Sequence, residues 1–418
     1  MKTFPLSKDE LETLTKQYPT PFYLYDEAAI RRNARAVLQA FSIFPAFKQH
    51  YAVKALPNPF ILKILADEGF GADCSSLPEL LLADMAGLAG EDIMFTSNET
   101  PAPEYRKALE LGAVVNLDDY THIAFLERCA AIPPLISCRY NPGPLKGGNV
   151  IIGAPEEAKY GFTRDQLFAG FSLLRDKGAL RFALHTMVAS NELNLDYHLE
   201  TARLLFELAV ELDTRIGIRL EFVNLGGGIG IPYRPDQEGI EYTRLAEGLK
   251  GLYDKIIRPA GLDPLGIHTE WGRVITGPYG WLVSRAIHRK SIYREYIGLD
   301  ASMADLMRPG LYGAYHHITI AGKETAAETE TYDVVGSLCE NNDKFAIQRR
   351  LPPIQTGDLA IIHDAGAHGR AMGFNYNGKL RCGELLLRPG GSIKLIRRAE
   401  TVEDYFATLD LQKLKTFF

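Results

Sequence analysis

The stretch QHYAVKALPNPFILKILADEGFGADCSSLPELLLADMAG, residues 49–87, decides the fold. Residues 49–54 read as a short strand, 59–68 as a helix, 71–75 as a second strand and 76–87 as a second helix. Ser76 and Glu79 have the spacing of a capping box, and Leu77, Leu80, Leu81 and Met85 are expected on one buried helical face. Outward from this stretch the alternation continues. Further strands are expected at 93–97, 113–117, 135–140, 181–186, 219–225 and 266–270, with helices at 28–41, 103–112 and 194–213. Alternating strands and helices build a parallel sheet. About eight such units over roughly 250 residues suit a closed (β/α)8 barrel of the TIM type better than an open sheet.

The rhythm stops near residue 285. Strand-like runs follow at 293–298, 316–320, 331–336, 358–363 and 384–396, punctuated by Gly, Asp and Pro, with a helical tail at 401–409. This part reads as a β domain. At the other end, Ser7 and Glu10 form a capping box on a short helix with Leu11 and Leu14 on its apolar side, and 20–26 read as a strand.

The 418 residues carry 46 Lys and Arg against 52 Asp and Glu, a formal net charge of −6. No basic face is implied, so no nucleic-acid partner is expected. No apolar run approaches the length of about 18 residues needed to span a membrane, and the N-terminus lacks an apolar signal core. A cytoplasmic protein is expected. The five cysteines, 74, 129, 138, 339 and 382, are odd in number and never spaced Cys-x-x-Cys, so neither a disulfide framework nor a metal site is expected.

Several segments could carry chemistry. Tyr51-Ala52-Val53-Lys54-Ala55 ends an apolar strand on a lysine, and barrel strands present their C-terminal ends to the active site. Desolvation there is expected to lower the amine's pKa and make it nucleophilic. Val223-Asn224-Leu225-Gly226-Gly227-Gly228 runs from a strand into a loop that can offer bare amides to an anion. It is neither a dinucleotide fingerprint nor a P-loop, since glycine and Gly-Lys-Ser/Thr are missing at the required places. Thr269-Glu270-Trp271-Gly272-Arg273 puts a carboxylate and an arginine after another strand. Arg308-Pro309-Gly310-Leu311-Tyr312, Cys339-Glu340-Asn341-Asn342-Asp343 and Asp364-Ala365-Gly366-Ala367-His368-Gly369 are polar loops of the β domain, with Tyr376 close behind the last. His316 and His317 adjoin on a strand and point to opposite faces, which does not suit one metal.

In this order the segments closely resemble diaminopimelate decarboxylases, pyridoxal-phosphate enzymes of the alanine-racemase-like (fold type III) class. The resemblance runs from Tyr23 to Leu387. It implies a pyridoxal-phosphate-binding barrel at 27–285 and a β-sandwich at 286–418 that also takes in 1–26. It implies that Lys54 is the Schiff-base lysine, that Gly226, Gly227 and Gly228 hold the phosphate, and that Glu270 faces the pyridine nitrogen. Asp73, Arg139, His185, Ser190, Gly272, Arg273, His368 and Tyr376 match further cofactor positions, with His185 stacked on the ring. The segment Lys159-Tyr160-Gly161 flanks them. Arg273, Arg308, Tyr312, Glu340, Asn341 and Tyr376 match substrate positions, two arginines and a tyrosine clamping a second carboxylate and Glu340 meeting an ammonium. Cys339, reaching across a homodimer into the partner's site, is the expected proton donor, since a thiol holds a proton at neutral pH.

The implied reaction is decarboxylation of meso-2,6-diaminopimelate to L-lysine. The alternatives are a decarboxylase of a carboxylated polyamine or a natural-product amino acid, a racemase, or a barrel without catalysis. The chain departs from the family pattern at four places. Ser190 stands two places later than usual after His185, Trp271 replaces proline, Asn341-Asn342 replace Ser-Gly, and His368 replaces tyrosine.

Overall fold

A computed structural model describes residues 2–149 and 153–417 of the chain. It forms two compact units. One comprises Ala29–Pro232 and Asp236–Thr276. The other takes the chain up to Ala28, the short segment Tyr233–Pro235, and the chain from Gly277 onward.

In the first unit eight parallel strands close on themselves: Phe47–Ala52, Gly71–Cys74, Ile93–Thr96, Val114–Leu117, Leu135–Arg139, Arg181–His185, Leu220–Asn224 and Gly266–Thr269. This is the expected (β/α)8 barrel. Local signals set its helices. Pro59–Asp67 starts on Asn58, whose side chain accepts from the Phe60 amide, with proline at its first position. Leu195–Ile216 starts on Asn194 and stops at Gly217, whose φ of 66° is left-handed.

The helix after the second strand departs from expectation. Ser76 makes no side-chain cap bond, because the Glu79 carboxylate instead accepts from the Ser75 amide at 2.7 Å. Leu80 and Ala83, three residues apart, form its buried stripe, whereas Leu81 and Met85 lie on the exposed side. A barrel helix touches its strands along a narrow line, so one turn-spaced pair suffices.

Met94, Val114, Leu135, Ala183 and Phe222 pack together as a core cluster. Beside Phe222 sits a histidine pair, His50 buried and His268 half-buried. The His268 ring stacks on Phe222 with centroids 3.8 Å apart, and His268 Nδ1 lies 3.3 Å from His50 Nε2. Gly71 makes room for it, since a Cβ there would lie 2.6 Å from His50 Nδ1 and 2.3 Å from the Asp92 carbonyl. Burial, reinforced by the neighbouring Lys48 charge, pushes His50 down to about 4, and burial also lowers His268.

The second unit has nine strands in one mixed sheet joined through the long strand Gly280–Ser291. Its first half pairs with Phe22–Asp26 and with Leu359–Ile362. Past an irregularity between Ala286 and His288 it pairs with Glu295–Leu299. Phe22–Asp26 lies between this strand and Gly383–Leu387. Alternate residues Phe22, Leu24, Trp281, Val283, Leu359, Ile361, Leu385 and Leu387 make one core with Leu11 and Leu14 of the helix Lys8–Gln17. The Ser7–Glu10 capping box is present. The expected single run at 384–396 is two strands, Gly383–Leu387 and Ile393–Arg397, joined by a turn in which Gly390 and Gly391 have φ of 93° and 89°. The tail is two helices, Val402–Phe406 and Leu411–Phe417. No helix among the described residues is long and apolar enough to cross a membrane.

The histidine pair makes the fold acid-sensitive. Unfolded His50 takes a proton near about 6.5, whereas the folded side chain holds off until about 4. Its stabilising share is therefore complete above about pH 6.5 and is lost as pH falls toward 4, by about 3 kcal/mol. Thermal melts across this range should fall for the parent protein and flatten for His50→Gln. An equally steep fall in the variant would remove His50 as the cause.

Candidate active site

The barrel strands end on polar side chains at one rim. Arg139, His185 and Asn224 are the last residues of three successive strands and pair in register, Arg139 with His185 and His185 with Asn224. Asp73 is next to last in its strand, Glu270 follows Thr269, and Lys54 stands two residues past Ala52 on a single 3-10 turn. A parallel barrel aims all these ends the same way.

Lys54 Nζ donates to Asp73 Oδ2 at 3.3 Å. The lysine side chain keeps about half its surface open, while Asp73 is fully buried. Burial alone would lower the amine, but the charges of Asp73, Glu270 and Glu79 outweigh it and the amine is raised. This corrects the expectation of a lowered lysine: three carboxylates surround it. Burial, then repulsion from Glu270, pushes the Asp73 carboxyl up despite Lys54. Glu270 goes the other way. Burial opposes its ionisation, yet His185 and Lys54 hold it below the usual carboxylate range.

Both oxygens of Glu270 are gripped. His185 Nε2 lies 3.0 Å from Oε2, and Asn224 Nδ2 donates to Oε1 at 2.7 Å. The Asn224 Oδ1 in turn accepts from the Gly226 amide at 2.9 Å. Asn224 is wholly buried, and sequence reading passed over it as part of a strand. One amide thus ties the acid to the glycine loop.

That loop has no space for side chains. A Cβ on Gly226 would lie 2.2 Å from the Thr186 carbonyl, and one on Gly228 would lie 2.7 Å from that of Ala189. Both have positive φ, 66° and 102°. The segment His185–Ser190 runs alongside. Ser190 Oγ accepts from Arg273 Nη2 at 3.3 Å, and the Ser190 amide donates to Asn149 Oδ1 at 3.2 Å. Ser190 thus meets Arg273 despite its shifted position. Arg139 donates to Asp118 Oδ1 at 3.2 Å, and its guanidinium lies 4.3 Å from the centre of the Tyr160 ring. Trp271 fills space between Phe41 and Tyr242, stacked on the latter. Gly272 sits tight against Ala52 and Ala55.

These barrel residues fit pyridoxal phosphate. Asp73 Oδ1 and His185 Nδ1 are buried with no hydrogen-bond partner among the described residues, and the glycine loop presents backbone that any Cβ would fill.

The remaining candidates lie in the other unit. Arg308 and Tyr312 bound a five-residue helix, Arg308 buried and Tyr312 exposed. The loop carrying Cys339, Glu340 and Asn341 lies over this helix: a Cβ on Gly310 would come 2.4 Å from the Asn342 carbonyl. Asp343 anchors the loop by accepting from the amides of Met303 and Leu338. The Cys339 amide donates to Asn377 Oδ1 at 2.7 Å, beside the exposed Tyr376. Cys339 is the exposed cysteine; Cys74, Cys138 and Cys382 are buried and Cys129 half-buried. His368 has a φ of 53°.

Replacing Asn224 with Asp would set a second carboxylate against Glu270 and raise its pKa. Pyridoxal phosphate should then bind about tenfold more weakly, and the loss should deepen as pH drops from about 8 to about 6, because Glu270 protonates. Absorbance titration of the cofactor reads this directly. An unchanged, pH-independent affinity would show that Asn224 does not act on Glu270.

Residues 27–277 match the family described as pyridoxal-dependent decarboxylase, pyridoxal binding domain. The chain is 45% identical to protein TabA of Pseudomonas amygdali pv. tabaci, over 100% of this chain and 96% of TabA. It is 34% identical to a diaminopimelate decarboxylase of Methanothermobacter thermautotrophicus, over 94% of this chain and 92% of that one. The crystal structure of Helicobacter pylori diaminopimelate decarboxylase complexed with L-lysine superposes with a TM-score of 0.85 at 30% identity, over 97% of this chain and 100% of that one. With likeness of this extent in both sequence and fold, the chain belongs to the fold type III pyridoxal-phosphate-dependent amino-acid decarboxylases, in their diaminopimelate decarboxylase-like group.

Proposed function

We propose that this enzyme removes carbon dioxide from meso-2,6-diaminopimelate to give L-lysine, the last step of lysine biosynthesis. The observation that carries the reading is the full-length similarity to diaminopimelate decarboxylases, one of them crystallised with L-lysine. The buried Arg308 supports it, because a guanidinium matches a second substrate carboxylate in a bidentate pair.

In this reading Lys54 holds the cofactor covalently, Gly226–Gly228, Ser190 and Arg273 hold its phosphate, and His185 packs on its ring. When bound, pyridoxal phosphate supplies the electron sink for the charge left as carbon dioxide departs. Glu270, kept ionised by His185 and Asn224, holds a proton on the ring nitrogen. Asp73 receives or restrains the Lys54 amine. Arg308 and Tyr312 take the distal carboxylate and Glu340 the distal ammonium. Cys339 of a second copy returns a proton to Cα, which makes the enzyme a homodimer with shared sites.

A second reading rests on the 45% identity to TabA over the whole chain and on Asn341-Asn342 in the distal loop. There the substrate is a related amino acid with a different distal group. Carbon dioxide release from meso-diaminopimelate, L-lysine, L-ornithine and carboxynorspermidine separates the two. Release from diaminopimelate alone is expected, and no release from it would overturn the proposal. Cys339→Ala should lower kcat by about 100-fold while leaving the absorbance of bound cofactor in place. Full activity in that variant would remove Cys339 from the reaction.

A further inference from the structure

Arg308 is almost fully buried, and its orientation is set by two side chains that the sequence did not connect to it. Arg308 Nη1 donates to the Tyr233 hydroxyl at 2.7 Å and meets His316 Nε2 at 2.9 Å. Nη1 has two protons, so these two acceptors engage both. The guanidinium also lies over the Tyr233 ring, 4.8 Å from its centre, and the His316 ring stands edge-on to the same tyrosine. Tyr233 and His316 are themselves buried.

Hydrogen-bond logic fixes the state of His316. Its Nδ1 lies 2.8 Å from the His363 carbonyl oxygen, which can only accept. Nδ1 therefore carries the proton, and Nε2 is left as the acceptor that Arg308 needs. A second proton on the ring would set N–H against N–H. Tyr233 is placed by an unusual route. It belongs to the three-residue segment Tyr233–Pro235 that folds with the β unit, although the chain on both sides of it belongs to the barrel. The segment begins three residues after Gly230, at the end of the glycine loop.

We propose that Tyr233 and neutral His316 are positioning residues that aim Arg308 at the distal carboxylate of the substrate, and so set selectivity for an amino acid with an acid at its far end. This rests on the reading above that Arg308 binds that carboxylate. A guanidinium swings freely on its long stem, and two fixed acceptors convert it into a directed fork.

The test uses holoenzyme and two probes that differ by one carboxylate, L-lysine and cadaverine, as inhibitors of diaminopimelate turnover. Tyr233→Phe removes one acceptor but keeps the ring. It should raise both the KM for diaminopimelate and the inhibition constant of L-lysine about tenfold, with kcat, cadaverine inhibition and cofactor affinity within about twofold. His316→Leu should act alike, and His316→Gln, which restores an acceptor near Nε2, should recover most of the loss. Added to Arg308→Ala, Tyr233→Phe should cost nothing further, since it acts only through the arginine. If Arg308→Ala itself leaves L-lysine inhibition unchanged, the carboxylate reading of Arg308 falls. If Arg308→Ala weakens L-lysine while Tyr233→Phe does not, or if the two losses simply add, the positioning role falls. A matching loss for cadaverine would also overturn it, as a general disturbance of the site.

Discussion

His185 and Asn224 grip the two oxygens of Glu270, and the arrangement of the barrel rim depends on that grip. A buried carboxylate ordinarily prefers its proton. Here a hydrogen bond at each oxygen and the charge of Lys54 hold it ionised. Asp73, hydrogen-bonded to the same lysine, lacks such support on its other oxygen and moves the other way. Two carboxyl groups of one rim are thus separated in acidity, one kept as an anion and the other able to hold a proton. Their difference comes from who donates to them, not from their depth.

The same bonds organise the backbone. Asn224 spends its donor on Glu270 and its acceptor on the Gly226 amide, so the acid and the glycine loop are set by one side chain. The loop can close down on the Thr186 and Ala189 carbonyls only because it lacks Cβ atoms. The barrel supplies the rest by register, since Arg139, His185 and Asn224 finish neighbouring strands at one level.

Much of this was legible in the sequence. The alternation of short apolar runs with helix-period segments gave the barrel, and the order of Lys54, the three glycines, Glu270, Arg308 and Cys339 gave the family. What stayed hidden has a common cause. Asn224, Tyr233 and His316 act through partners 46, 75 and 8 positions away, and such bonds leave no local pattern. The raised Lys54 amine depends on three carboxylates brought together only by closure of the barrel. The long strand Gly280–Ser291 escaped notice because its apolar start continues the barrel's rhythm while its polar end reads as loop. Ser76 looked like a cap because the spacing is right, but Glu79 had a better partner in the Ser75 amide.

The interleaving of the two units bears on how the chain matures on the ribosome. Phe22–Asp26 emerges before every barrel strand, and both its neighbours, Gly280–Ser291 and Gly383–Leu387, emerge after them; Tyr25 bonds to a residue 359 positions away. The barrel, made entirely of the intervening chain, can close while translation continues. The early strand meanwhile waits with both edges unsatisfied, a condition that invites pairing with other chains. Chaperone demand should therefore centre on the strand Phe22–Asp26 rather than on the larger barrel that follows it.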